Sequence, residues 1–127
     1  MCKRGCIVVI EDERDVLELL RDVLETEGFP VIAVPHPSKV RDSVSNVQPE
    51  LFLVDMMLPG TSGVELAHQL RAEFADKPMI AMSASPLMLQ VAAESKLFQD
   101  MLNKPFDLSV LLTHVERWVS APEPCAH

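Results

Sequence analysis

Basic side chains are scarce in this 127-residue chain: 11 Lys and Arg face 19 Asp and Glu, a formal net charge of −8. Nothing resembles a basic stripe, so direct binding to nucleic acid is not expected. Cysteine is nearly absent. Cys2, Cys6 and Cys125 form an odd set without metal-ligand spacing, which argues against a disulfide framework and against a zinc site. They read as free thiols in a reducing compartment. Long hydrophobic runs are missing as well. The start, "MCKRGCIVVIEDE", has a basic pair but only a short apolar run before acids intervene. That is too little for a signal peptide or a membrane span. Low-complexity segments are lacking too. What these absences leave is an acidic cytoplasmic domain with no membrane partner. Apolar residues make up 48% of the chain, which argues against disorder. The length suffices for one domain with a proper core.

What is present is an alternation. Short apolar runs recur at Cys6–Ile10, Val31–Val34, Leu51–Val54 and Met79–Met82, with a weaker one at Asp100–Asn103. Their starts are about 20 to 28 residues apart, the spacing of successive βα units. The runs are continuous rather than alternating, as in a parallel sheet covered on both faces. Helical patterns lie between them. Val16, Leu19, Leu20, Val23 and Leu24 fall on one face before Gly28. A second helix, about Ser38 to Asn46, is weakly apolar. Ser62 and Glu65 have capping-box spacing ahead of Leu66, Ala67, Leu70 and Phe74. Ser85 and Pro86 suit an N-cap and first helical position before Leu87 to Ser95. Asp107 caps a last helix carrying Leu108, Leu111, Leu112, Val115 and Val119 on one side. The fold expected is an α/β, doubly wound, flavodoxin-like (βα)5 sheet of five parallel strands. Residues 1–120 would form the domain, and 121–127 a Pro-containing tail or the start of a linker.

In open doubly wound sheets, ligands bind outside the carboxyl ends of the strands. Here the first strand ends in Glu11, Asp12 and Glu13, the third in Asp55, the fourth in Ser83 and the fifth in Lys104. Each has an ordinary explanation alone. Acids after the first strand suit the positive end of a helix; Asp55 could form a turn before Pro59-Gly60; Ser83 and Lys104 could be a small strand residue and a solvated charge. Together they place acids, a hydroxyl and a lysine on one sheet edge. That set suits phosphoryl transfer. Clustered carboxylates are costly to ionise together, and a hard divalent cation such as Mg²⁺ or Mn²⁺ relieves the cost. Asp55 can act as a nucleophile, and Lys104 and Ser83 can hold phosphoryl oxygens. His36, His68 and His114 share no ligand spacing and read as surface residues. Trp118 reads as a packing residue, and Met56, Met57, Met79, Met82, Met88 and Met101 as core filler and site walls.

The motifs "IVVIEDE", "LFLVDMMLPGTSG", "MIAMSAS" and "LNKPF" come in that order. With them the chain resembles the receiver domain of two-component response regulators over almost its whole length. The resemblance implies strand order 2-1-3-4-5 and Asp55 as phosphoacceptor. It implies Mg²⁺ held by Glu11, Asp12, Asp55 and the main-chain carbonyl of Met57. Ser83 would be the conformation-sensing hydroxyl, Lys104 the lysine of the site, and Lys104–Pro105 a cis peptide. The donor would be a histidine kinase or histidine phosphotransfer protein, and the recipient an output domain or target protein. The protein would be a switch with autophosphorylation and autodephosphorylation activity only. Three positions depart from the pattern. Glu11 stands where Asp is usual. Met101 occupies the switch position of an aromatic, in a chain without tyrosine. "ESKLFQDML" lacks a small Gly-Ala step before the fifth strand. A pseudo-receiver that signals without phosphate is the alternative. A phosphohydrolase is disfavoured, since Met57 stands where that class carries a second Asp. The expected state without phosphate is a monomer, with Leu97 and Phe98 the exposed apolar candidates and a phosphorylation-dependent dimer the alternative. No output domain follows the last helix, so the chain is expected either to stand alone or to be a piece ending near Ala121.

Overall fold

The computed structural model describes residues 5–119. Cys2, Cys125 and the expected tail 121–127 lie outside the described residues. Five parallel strands form one sheet: β1 (Cys6–Ile10), β2 (Val31–Val34), β3 (Pro49–Asp55), β4 (Met79–Ser83) and β5 (Asp100–Asn103). Their order is 2-1-3-4-5, as expected. Five helices connect and cover them: α1 (Arg14–Thr26), α2 (Val40–Val44), α3 (Gly63–Glu73), α4 (Pro86–Ser95) and α5 (Leu108–Trp118).

The continuous apolar strands are explained by two cores, one on each face. Side chains alternate across a strand. Ile7, Val9, Leu51, Leu53, Ile80, Met82 and Leu102 therefore face α1 and α5, where Leu17, Leu20, Leu24, Leu111 and Val115 meet them. Val8, Ile10, Phe52, Val54 and Ala81 face the other way, against Val40, Val44, Leu66, Ala67, Leu70 and Ala92. Each of the larger side chains contributes about 1.5–3 kcal/mol by leaving water. The hydrophobic stripe of α1 is rotated from the expected one. Leu17 is buried and Leu19 is 51% exposed, because a 3.6-residue period fits Leu17, Leu20 and Leu24 better.

The second helix is shorter than the segment Ser38 to Asn46. A 3₁₀ turn, Pro37–Lys39, precedes a five-residue α2, and only Val40 and Val44 anchor it. Asp107 is the N-cap residue of α5, but its side chain makes no cap hydrogen bond. Leu97 and Phe98 are not exposed. Phe98 is buried and Leu97 half-buried, both packed on the α3–α4 side of the sheet, so neither offers a free apolar surface.

Candidate functional site

Parallel register brings the polar strand ends together. Ile10 lies opposite Val54, so Glu11 and Asp55 are the next residues on adjacent strands. Asp55 lies opposite Met82, and Ser83 opposite Asn103, which places Lys104 one step beyond. The Lys104 amide donates to the Ser83 carbonyl at 2.8 Å, closing the rim. Sequence distance is irrelevant here: Glu11 and Lys104 are 93 residues apart and in contact.

Asp55 is 4% exposed at the end of β3. Its Oδ1 accepts a hydrogen bond from the Met57 amide at 2.9 Å, and its Oδ2 lies 3.3 Å from Lys104 Nζ. Glu11 is fully buried; its Oε1 pairs with Lys104 Nζ and its Oε2 accepts from the Glu13 amide at 3.2 Å. Asp12 is exposed. One carboxylate oxygen from each of Glu11, Asp12 and Asp55 lies within 4.8 Å of the others. Burial, reinforced by the Asp55 carboxylate, pushes the Glu11 carboxyl up to about 7 against the pull of Lys104. Burial works against the Lys104 charge, but Glu11 and Asp55 outweigh it and hold the ammonium above its ordinary value.

The loop after Asp55 is braced from below. Met57–Leu58 pairs antiparallel with Thr61–Ser62 across Pro59 and Gly60, and Gly60 takes a positive φ of 77° that suits glycine. Gly63, the first residue of α3, lies under this loop. A Cβ there would stand 2.9 Å from the Met56 Cα, so only glycine lets the helix approach so closely. Ser62 caps α3 by accepting from the Glu65 amide at 3.1 Å. The reciprocal half of the expected capping box is replaced, since Glu65 Oε2 accepts instead from the Thr61 hydroxyl.

Ser83 is 1% exposed, and its Oγ accepts from the Ser85 amide at 3.0 Å. Ser85 in turn caps α4, its Oγ accepting from the Met88 amide at 3.2 Å. Met101 is half-buried against the α3–α4 core. Met57 is 62% exposed, a wall of the site rather than core filler. With Met56, Met88 and Asp12 it lines an open recess of about 440 Å³. The Lys104–Pro105 peptide is cis, as the resemblance implied.

Of the described histidines, His36 and His68 are exposed, as expected, and His114 is half-buried. His36 accepts from the Ser38 amide through Nδ1. His114 belongs to a hub that the sequence did not reveal. Asp100 Oδ2 meets His114 Nδ1 at 2.8 Å, Arg117 at 2.9 Å and the Trp118 indole N–H at 3.0 Å. Their spacing on α5 (114, 117, 118) was the available signal, one helical face aimed at the start of β5. Trp118 therefore packs at the edge with its indole engaged.

A family model described as the response regulator receiver domain matches residues 7–116. The sensor histidine kinase TmoS of Ectopseudomonas mendocina is 33% identical over 117 residues, covering 90% of this chain and 12% of that protein. The response regulator MprA of Mycobacterium sp. (strain KMS) is 30% identical over 119 residues, covering 93% of this chain and 52% of that protein. The chain thus spans about half, or much less, of the relatives it matches. Among solved structures, the response regulator protein TrrA of Thermotoga maritima, in complex with Mg(2+)-BeF, superimposes with a TM-score of 0.81. It is 23% identical, and the match covers 91% of this chain and all of that one. A five-stranded 2-1-3-4-5 sheet with acids and a lysine on its carboxyl rim, matched by the family model over residues 7–116, makes this chain a member of the response regulator receiver family.

Proposed function

We propose that this receiver accepts a phosphoryl group on Asp55, in a reaction that depends on Mg²⁺ or Mn²⁺. The observation that carries the reading is the meeting of three carboxylate oxygens within 4.8 Å, beside the Lys104 ammonium. Three acids and one lysine leave negative charge uncompensated in a largely buried place, which costs free energy without a further cation. The donor set is all oxygen, which suits a hard divalent ion. Glu11, Asp12, Asp55 and the Met57 carbonyl are the groups at hand to hold it. Bound there, such an ion neutralises charge on the transferring group.

The chain's own residues do the rest. Asp55 Oδ attacks phosphorus while the bond from phosphorus to the donor's imidazole nitrogen breaks. The new bond is O–P, and the released imidazole takes a proton from water. The Met57 amide holds one Asp55 oxygen and so fixes the direction of the other. Lys104 offers positive charge where phosphoryl oxygens would arrive. The Ser83 hydroxyl is free to donate a hydrogen bond, because its oxygen only accepts from Ser85. The donor is a histidine kinase or histidine phosphotransfer protein, and an output domain or separate target in the cytoplasm reads the result. The added charge biases a protein-interaction surface. With Asp55, Ser83 and Lys104 all on the rim, no observation favours a pseudo-receiver.

Beryllofluoride, a phosphoryl mimic, tests the reading. With Mg²⁺ it should bind wild type and shift amide resonances around Asp55, and Asp12→Ala should weaken that binding at least about tenfold. Absence of binding to wild type would overturn the proposal.

A further inference from the structure

We propose that Met57 is an oxidation site, and that its sulfoxide adds an oxygen donor to the divalent-ion site beside Asp55. The inference rests on the proposed phosphoryl transfer, since it concerns the ion that the reaction needs.

A methionine sulfur is oxidised where a peroxide can reach it. The described methionines differ sharply in that respect. Met56, Met79 and Met82 are buried, Met88 and Met101 are half-buried, and Met57 alone is exposed, at 62%. Met57 also lines the open recess of about 440 Å³ beside the site. Cys6 is no competitor for the oxidant. It is buried, and burial pushes its thiol up, which withholds the thiolate that would react.

The step with hydrogen peroxide balances. The sulfur lone pair attacks one peroxide oxygen, and an S–O bond forms as the O–O bond breaks. The departing hydroxide takes the proton of the transferred oxygen and becomes water. Sulfur loses two electrons and the peroxide gains them. The product is a polar side chain. At Met56 or Met82 the added oxygen would break close packing. At Met57 the recess has room for it, so the fold survives the change.

The position gives that oxygen a use. The Met57 backbone is fixed, because its amide donates to Asp55 Oδ1 at 2.9 Å and the residue pairs with Ser62. Its side chain shares the recess with Asp12, one of the three acids whose oxygens converge. A thioether is a soft donor with little attraction for a hard divalent ion. A sulfoxide presents a hard, neutral oxygen of the kind Mg²⁺ takes. Oxidation therefore turns a wall of the recess into a ligand, directly or through one of the ion's waters, without adding charge to the acids.

Brief treatment of the full chain with dilute hydrogen peroxide, followed by peptide mass spectrometry, tests the first half. Met57 should gain one oxygen at least about tenfold faster than Met56, Met79 or Met82. Oxidation of Met57 no faster than theirs would overturn the inference. After the peroxide is removed, Mg²⁺ is titrated against amide resonances. Oxidised wild type should bind the ion at least about threefold more tightly than untreated wild type. Met57→Leu keeps every cysteine and every other methionine, and peroxide should give it no gain over its own untreated form. A gain that persists in that variant would overturn the inference. Mg²⁺ that bound neither form of wild type would count against the proposed phosphoryl transfer and the sulfoxide ligand alike. Binding that oxidation leaves unchanged or weakens would overturn the sulfoxide ligand alone.

Discussion

Asp100 shows how much one carboxylate can organise. A single oxygen takes three donors from the last two turns of α5, and the other accepts from the Met101 amide. Burial raises the Asp100 carboxyl, but the bonds from Trp118 and His114 outweigh it and hold the group below its ordinary value. A carboxylate whose folded value is depressed stabilises the fold above its unfolded value, about 3.9, and loses that effect as pH falls through the folded value. Asp100→Asn should therefore cost about 1–3 kcal/mol at neutral pH. The gap from wild type should narrow as pH falls below about 4, where the unfolded chain starts to take up the Asp100 proton, and close as pH passes through the lower folded value. Urea unfolding of both proteins across that range measures it. A gap that is constant with pH would mean the hub holds α5 by packing alone. Gly63 is the other residue on which local geometry turns, since any side chain there would push α3 off the backbone beneath Asp55.

Among the elements, α4 is tied most directly to the rim. Ser83 Oγ holds the Ser85 amide, and Ser85 Oγ holds the first turn of α4. If Ser83 turns toward a phosphoryl group, it releases the Ser85 amide and loosens that cap. Methionine at 101 is flexible enough to fill more than one arrangement, so it is a weak lever. On the proposed function, the signal therefore runs through the Ser85 cap. Ser85→Ala should cost about 1 kcal/mol of stability and shrink the beryllofluoride-dependent shifts along α4. Met101→Tyr should instead add shifts around β5. Large shifts in α4 that survive Ser85→Ala would contradict this route. The strands were legible in the sequence because both faces of the sheet are buried, so each reads as an unbroken apolar run. The rim residues were legible for a related reason: Glu11, Asp55, Ser83 and Lys104 interrupt those runs at their ends. The short α2 was not, because two valines are too few to set a period. Nor were the partners of Glu11, Ser83 and Asp100. Those depend on register between segments distant in the chain, which no local pattern encodes.

For the whole molecule, charge and apolar surface pull in opposite directions. The chain carries a formal −8 and repels its own copies. Among the described residues, Leu87 and Val91 are exposed one turn apart on α4, and Val110 and Trp118 on α5. The unphosphorylated protein should sediment as a monomer at micromolar concentration, and a tight dimer there would contradict the expectation. Everything proposed for this fold depends on Asp55, which lies where β1, β3 and the Lys104 loop converge. The most direct measurement is to incubate the protein with a small-molecule phosphodonor and Mg²⁺, then locate the modified residue by mass spectrometry. The account predicts one phosphoryl group on Asp55, none when Mg²⁺ is chelated, and none in Asp55→Asn. Equal labelling of Asp55→Asn, or labelling that ignores the metal, would contradict it.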